Sequence, residues 1–207
     1  MRMNLKQHQI CGRNMVHAKG AEIRGDKLVT KKLIFICGPN GVGKSSTGRE
    51  LINCIENSAF VDSDLCALRN PFINTEGIDI GTEFMLYMLT KYLESSQYEC
   101  IIWAYGFHGH RKDSFMEIMV KLRELNIEFD FIPIILTCDI EENIKRMKCD
   151  NRDDARIDRA LKNTRIIYNE YSFPSIDTTK LTIGDTVYVI KKLIMGVQNV
   201  FDEKALL

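Results

Sequence analysis

No run of apolar residues in this 207-residue chain approaches the ~18 that suggest a membrane span, and no signal-peptide apolar core is visible. No C-x-x-C pair occurs. The seven cysteines, Cys11, Cys37, Cys54, Cys66, Cys100, Cys138 and Cys149, are odd in number and widely spaced. That pattern excludes a paired-cysteine zinc site and a secreted disulfide framework, and it points to a reducing, cytoplasmic setting. Cys37, Cys100 and Cys138 adjoin apolar runs, where cysteine packs as a small hydrophobe. There is no surplus of either charge: Lys plus Arg and Asp plus Glu each number 28. Duplex binding draws its affinity from a basic surplus, so a dedicated nucleic-acid binder is disfavoured, and an enzyme acting on nucleic-acid ends with it. A local basic pocket for a small phosphorylated ligand stays compatible with neutrality. Internal repeats and low-complexity tracts are also lacking. What is present is ordinary for a globular protein, 45% hydrophobic and 27% charged residues. A chain of this length forms one domain and buries ~70% of its unfolded surface, enough for a core without staples.

Residues 1–30 read as a separate unit. Met1 to Lys27 carries Arg2, Lys6, Arg13, Lys19, Arg24 and Lys27 against Glu22 and Asp26, without clear periodicity. This basic segment is expected to be a mobile or loosely docked extension. A targeting peptide is the other reading, but serine richness and a clear amphipathic face are missing. The domain proper is expected over 31–207.

Its first element is Leu33-Ile34-Phe35-Ile36-Cys37, a continuous apolar run that reads as a strand buried on both faces. Gly38-Pro39-Asn40-Gly41-Val42-Gly43-Lys44-Ser45 follows directly and matches G-x-x-x-x-G-K-[ST], the phosphate-binding loop. A helix is expected next, to about Glu56, carrying Leu51, Ile52 and Ile55. The spacing has a chemical reason. Glycines let backbone N–H groups turn inward as an anion nest, and the helix N-terminus adds positive potential. Lys44 reaches terminal phosphates and the Ser45 hydroxyl ligates Mg²⁺. The expected nucleotide-contacting set is Gly38, Asn40, Gly41, Val42, Gly43, Lys44, Ser45 and Ser46.

Missing motifs then narrow the class. A guanine-reading N-K-x-D, an L-S-G-G-Q signature and a strand ending in Asp-Glu are all absent. Ala59-Phe60-Val61-Asp62-Ser63-Asp64 reads as a second strand ending in D-x-D. In parallel α/β sheets ligands bind beyond the carboxyl ends of strands, so these carboxylates face the phosphates. One can hold Mg²⁺ and the other can accept a proton from an attacking hydroxyl. A polar turn that caps the next segment is the competing reading.

Cys100–Tyr105 and Phe131–Cys138 read as the third and fourth strands, and Ile176–Thr178 as the fifth. Gly81–Leu93 reads as a helix whose Phe84, Leu86, Tyr87, Met88 and Leu89 are mostly core. Ile140, Ile144 and Met147 mark a helix capped by Asp139 or Thr137, and Ile183–Met195 a last helix with Val187, Ile190, Leu193 and Ile194 on one face. Between the last two helices, Arg146-Met147-Lys148-Cys149-Asp150-Asn151-Arg152-Asp153-Asp154-Ala155-Arg156-Ile157-Asp158-Arg159 concentrates arginine. It reads either as arginines that clamp a transferring phosphoryl group or as a solvated helix with pairs such as Asp153–Arg156.

With Gly38–Ser45, Asp62-Ser63-Asp64 and the arginine segment in this order, the chain from Lys31 to Met195 resembles the small-molecule P-loop kinases, the group of shikimate, gluconate and nucleoside monophosphate kinases. The resemblance implies an α/β fold, a doubly wound parallel sheet of about five strands, with a short arginine-rich lid at about 148–158. It implies ATP and Mg²⁺ as cofactors, Asp62 on the Mg²⁺ side, Asp64 as the base for the acceptor hydroxyl, and Arg152 and Arg156 on the transferring group. It implies an ATP-dependent phosphotransferase acting on a small molecule, without nucleic-acid or membrane partners. By the same resemblance Trp103, Tyr105, Phe107, His108 and His110 stand where the acceptor binds. The triple glycine and the helix arginine by which shikimate kinases hold their substrate have no clear counterpart. The alternative is a nucleotide-binding switch or assembly factor, which would lack a filled acceptor cleft and an ordered lid.

Overall fold

The computed structural model describes residues 23–24, 27–28, 30–68, 80–107 and 111–196. Of the basic extension it describes a short antiparallel pair, β1 (Ile23–Arg24) with β2 (Lys27–Leu28), and Thr30.

The main sheet has five strands, all parallel: β3 (Lys31–Cys37), β4 (Ser58–Asp62), β5 (Cys100–Ala104), β6 (Phe129–Thr137) and β7 (Ser175–Asp177). Their order across the sheet is β4-β5-β3-β6-β7. The first strand of the sheet is thus central, with β5 on one side and β6 on the other. Parallel neighbours need crossovers, which here are helical: α1 (Lys44–Cys54), α2 (Ser63–Cys66), α3 (Ile80–Glu94), α4 (Arg111–Glu124), α5 (Ile140–Cys149) and α6 (Asp154–Thr164), with α7 (Ile183–Ile194) closing the chain's described part. A 3₁₀ turn, Ile166–Glu170, leads from α6 toward β7.

Alternation along β3 sends its side chains into two cores. Leu33, Phe35 and Cys37 join Met85, Leu89, Ile118, Leu122 and an aromatic group under α3 and α4. Ile34 and Ile36 join Leu51, Val187 and Ile190 under α1 and α7. Every residue from Leu33 to Cys37 is fully buried, which is why the sequence reads as an unbroken apolar run. Each large side chain so buried is worth about 1.5–3 kcal/mol. Phe35 is the aromatic hub, with Trp103, Phe107, Phe115 and Phe131 rings 4.8–5.6 Å from its centre. A third small cluster, Met147, Ile157 and Ala160, joins α5 to α6 as a helical hairpin.

The strand ends differ slightly from the sequence expectation. β4 stops at Asp62, and Asp64 lies on the short α2 instead of the strand. On α3, Met85, Leu89 and Leu93 are buried, while Phe84 and Tyr87 are exposed. The expected core face is therefore narrower, because α3 meets the sheet along one stripe. Among the described residues no helix is long and apolar enough to cross a membrane.

Candidate functional site

The loop between β3 and α1 carries the site. Gly38 has φ 145°, and a Cβ there would lie 2.2 Å from the Leu136 carbonyl oxygen, so only glycine lets the chain leave β3 against β6. Gly43, φ 96°, is the N-cap of α1 and has no side chain to offer. Other helices are closed by their own caps: Asp139 accepts from the Glu142 N–H, Asp153 from the Arg156 N–H, and Thr182 forms a reciprocal box with Asp185. The start of α1 is built differently, with no side-chain cap, an arrangement that suits an anion.

Lys44 Nζ donates to the Gly38 and Pro39 carbonyls, both at 2.9 Å, so the ammonium lies across the mouth of its own loop. Burial pushes its pKa down to about 8; Asp64 pulls it up, while Arg152 and Arg111 push it further down. All three charged groups are thus within electrostatic reach of the lysine. Burial also pushes the Cys37 thiol at the root of the loop up to about 12, which makes it a packing residue and not a nucleophile.

Asp62 is buried at the end of β4 and caps α2, accepting from the Asp64 N–H at 2.9 Å. The capping reading of this segment therefore holds for Asp62. Its position still suits a cation. Phe60, two residues earlier on the same face of β4, packs so closely on α1 that a Cβ on Gly48 would meet its ring at 2.2 Å. Since α1 runs back along the strands, one turn before Gly48 is Ser45, and two residues beyond Phe60 is Asp62. The Gly48–Phe60 contact thus puts Ser45 and Asp62 toward the same end of the helix–strand packing. Their hard oxygens fit Mg²⁺, which takes one or two protein oxygens and completes its shell with phosphates and water. Among the described residues no cluster of three His, Cys, Asp or Glu offers an all-protein metal cage.

Asp64 is exposed on α2 and is paired with Arg111 at the start of α4, Nη1 to Oδ1 2.9 Å. Arg152, half-buried in the turn after α5, pairs with Asp150 at 3.2 Å and lies close enough to Lys44 to lower its pKa. Arg156 is not brought in. It occupies the first turn of α6, its backbone N–H is taken by the Asp153 cap, and its side chain is exposed. The expected Asp153–Arg156 contact is thus a cap rather than an ion pair. Asn40, Gly41 and Val42 lie along the loop, Val42 buried and Ser46 exposed on α1.

Trp103, Tyr105 and Phe107 do not line an acceptor surface. All three are buried, packed with Phe35 and Phe115, because the aromatic core continues beneath the strand ends. His108 and His110 lie outside the described residues.

Sequence reasoning missed Arg111, whose partner is 47 positions away and is met only through the fold. It also missed the supports of the loop. Arg146, counted with the lid arginines, instead braces the loop's far side: Nη1 and Nη2 donate to the Thr178 hydroxyl and carbonyl at 2.9 and 2.7 Å, and Nη1 reaches the Val42 carbonyl at 3.4 Å. Arg165 donates to Asn143 Oδ1 at 3.0 Å and to the Cys138 carbonyl at 2.6 Å. The Tyr168 hydroxyl accepts the Phe107 N–H at 3.0 Å, and burial pushes its pKa up.

No protein-family model and no curated protein sequence matches the chain. Solved structures do. A gluconokinase from Sinorhizobium meliloti 1021 matches with TM-score 0.53 at 12% identity, over 83% of this chain and 98% of its own. A tunicamycin resistance protein from Deinococcus radiodurans matches with TM-score 0.57 at 18% identity, over 81% and 96%. Shikimate kinase from Acinetobacter baumannii, in complex with shikimate, matches with TM-score 0.55 at 19% identity, over 83% and 97%. At such identities the likeness is one of fold, the five-stranded parallel α/β fold shared with a gluconokinase and a shikimate kinase.

Proposed function

We propose that the protein is an ATP-dependent phosphotransferase that moves the γ-phosphoryl group of Mg-ATP to a hydroxyl or phosphate of a small molecule. The observation that carries this reading is the glycine loop with the Lys44 ammonium across its mouth, and the Asp64–Arg111 pair and Arg152 within electrostatic reach of that lysine. A site that only binds nucleotide has use for the loop; a carboxylate and two guanidiniums within reach of its lysine suit transfer.

Each group has a task set by its place. The N–H groups of Gly38–Ser45 and the Lys44 ammonium hold the phosphates. Ser45 and Asp62 would hold Mg²⁺, which neutralises charge on the phosphate oxygens. Asp64 orients the acceptor hydroxyl and takes its proton as the oxygen attacks. Arg152 stabilises charge on the transferring group, and Arg156 joins it by movement of the α5–α6 hairpin. The domain division at residue 30 and a lid over about 148–158 belong to the same reading.

Purified protein with Mg-ATP and a panel of small-molecule hydroxyl compounds tests it. Phosphorylated product is expected from at least one, and Asp64→Asn is expected to abolish transfer while ATP binding survives. An Asp64→Asn enzyme that turns over normally removes the base from the scheme; a Lys44→Ala protein with undiminished ATP affinity removes the loop.

A further inference from the structure

The parallel ladder between β5 and β3 ends on a parted rung. Its final bond among the described residues runs from the Tyr105 N–H to the Ile36 carbonyl, 2.9 Å. Two residues on, the repeat of a parallel ladder would join the Phe107 N–H to the Gly38 carbonyl. Each of these groups has taken a side chain instead. The Phe107 N–H donates to the Tyr168 hydroxyl at 3.0 Å, and the Gly38 carbonyl accepts from Lys44 Nζ at 2.9 Å. Tyr168 and Lys44 thus hold the two halves of one rung. The parting falls where a ligand is expected. β3 leads into α1 over the core of Leu51, whereas β5 is followed by α4 over the core of Ile118 and Leu122. Neighbouring strands that send the chain to opposite faces leave a crevice beyond their carboxyl ends, and ligands of parallel sheets bind there.

The Tyr168 hydroxyl is only half used. Its oxygen accepts from Phe107, and among the described residues its hydrogen meets no acceptor. A phenol hydrogen lies in the ring plane and turns away from an N–H that the oxygen is accepting. Tyr168 is 6% exposed, and its ring stacks on that of Phe107 with centres 5.7 Å apart, which fixes the oxygen in place. Burial pushes the phenol pKa up, so the hydrogen stays on the oxygen. A buried donor without an acceptor is costly, and a ligand oxygen would satisfy it. The lysine of such a loop reaches the terminal phosphates, and here its ammonium stands at Gly38, the other half of the rung.

Resting on the nucleotide of the kinase reading and not on its acceptor, we propose that Tyr168 donates its hydroxyl hydrogen to an oxygen of the γ-phosphate, across the parted rung from the Lys44 ammonium. The contact exists with ATP and is lost when the γ-phosphoryl group leaves. Tyr168 therefore favours ATP over ADP at a loop whose N–H groups hold the remaining phosphates of either.

The test measures, by calorimetry on the full-length protein with Mg²⁺, the affinities for β,γ-imido-ATP and for ADP. Tyr168→Phe is expected to lose roughly tenfold for the ATP analogue, the scale of a hydrogen bond to a charged group, while ADP affinity holds. A role confined to holding Phe107 would weaken both nucleotides alike. Because Tyr168→Phe also removes the acceptor for Phe107, a second variant keeps the hydroxyl: 3-fluorotyrosine in place of Tyr168 alone. Its hydroxyl is a stronger donor and a weaker acceptor, so the preference for the ATP analogue over ADP is expected to rise. An unchanged preference in both variants, whether or not the affinities fall together, overturns the contact and leaves the kinase reading standing. Failure of the unaltered protein to bind either nucleotide overturns both.

Discussion

Asn143 on α5 donates from Nδ2 to the carbonyl of Asn40, inside the phosphate loop, at 2.9 Å, and its own Oδ1 receives Arg165 Nη1 at 3.0 Å. One buried amide thus joins the loop to the segment after α6. Met147, one turn along α5, presses on the same place: a Cβ on Gly41 would meet its Cγ at 2.5 Å. Replacing Asn143 by Ala removes one hydrogen bond from the Arg165 guanidinium and one from the Asn40 carbonyl, which costs about 1–3 kcal/mol. Because both bonds share that amide, Asn143→Ala and Arg165→Met are expected to be non-additive by about 0.5–3 kcal/mol in a double-mutant cycle read by denaturant unfolding. Additive losses would mean that the two bonds act independently.

Lys44 gives a pH signature. Its ammonium titrates near 8 in the nucleotide-free protein, below the ordinary 10.5, with burial the main cause. Phosphates favour the charged form, so binding raises that pKa. Below 8 the lysine is already protonated and affinity for ATP is flat with respect to this group. Above 8, binding must take up a proton, and affinity falls by up to about tenfold per pH unit until the bound-state pKa is reached. Calorimetry at pH 8.5 in two buffers of different ionisation enthalpy is expected to show proton uptake, and Lys44→Met is expected to show none.

Gly48 is a test of the contact between α1 and β4. A Cβ at this position would fall 2.2 Å from the Phe60 ring. Gly48→Ala is expected to destabilise the fold by about 1–3 kcal/mol through overpacking, despite alanine's better helix propensity. Phe60→Leu makes room for the methyl and is expected to recover part of the loss. A Gly48→Ala protein with raised melting temperature would show that α1 shifts freely.

The Tyr168 hydroxyl is the acceptor for the Phe107 N–H at 3.0 Å. Tyr168→Phe keeps the ring stacked on Phe107, 5.7 Å between centres, and removes the acceptor. The expected cost is about 1–3 kcal/mol, with accelerated amide exchange at Phe107 as the local readout. Exchange at Phe107 that matches the unaltered protein would show that another group serves it.

How far the sequence carried depended on the range of each interaction. β3 and its loop were legible because the signal is contiguous: Leu33–Cys37 buried on both faces, then glycines whose backbone geometry no other residue reproduces. The cap of α5 was legible for the same reason, Asp139, one of two candidates, serving an N–H three residues on. α4 carries Phe115, Ile118, Met119 and Leu122 at helical spacing, but no motif points to it. Arg111 became visible only when the fold brought the start of α4 to α2. Trp103, Tyr105 and Phe107 misled because polar-capable aromatics after a strand suggest a ligand surface, whereas all three are buried as members of one connected cluster of nine aromatic rings. Arg156 misled because its neighbour Asp153 acts on its backbone rather than its side chain.

Trp103 is the single tryptophan of the chain, fully buried on β5 with its indole N–H directed at the Met85 sulfur of α3, 3.1 Å away. Its ring meets Phe35 edge-on at 4.9 Å, two residues before the end of the strand that feeds the glycine loop. The protein thereby holds a built-in optical gauge, a lone emitter whose surroundings are shared by α3 and β3. Blue emission will report a dry interior, and any adjustment of α3 on ligand capture will register as a change in a signal that no other indole can dilute.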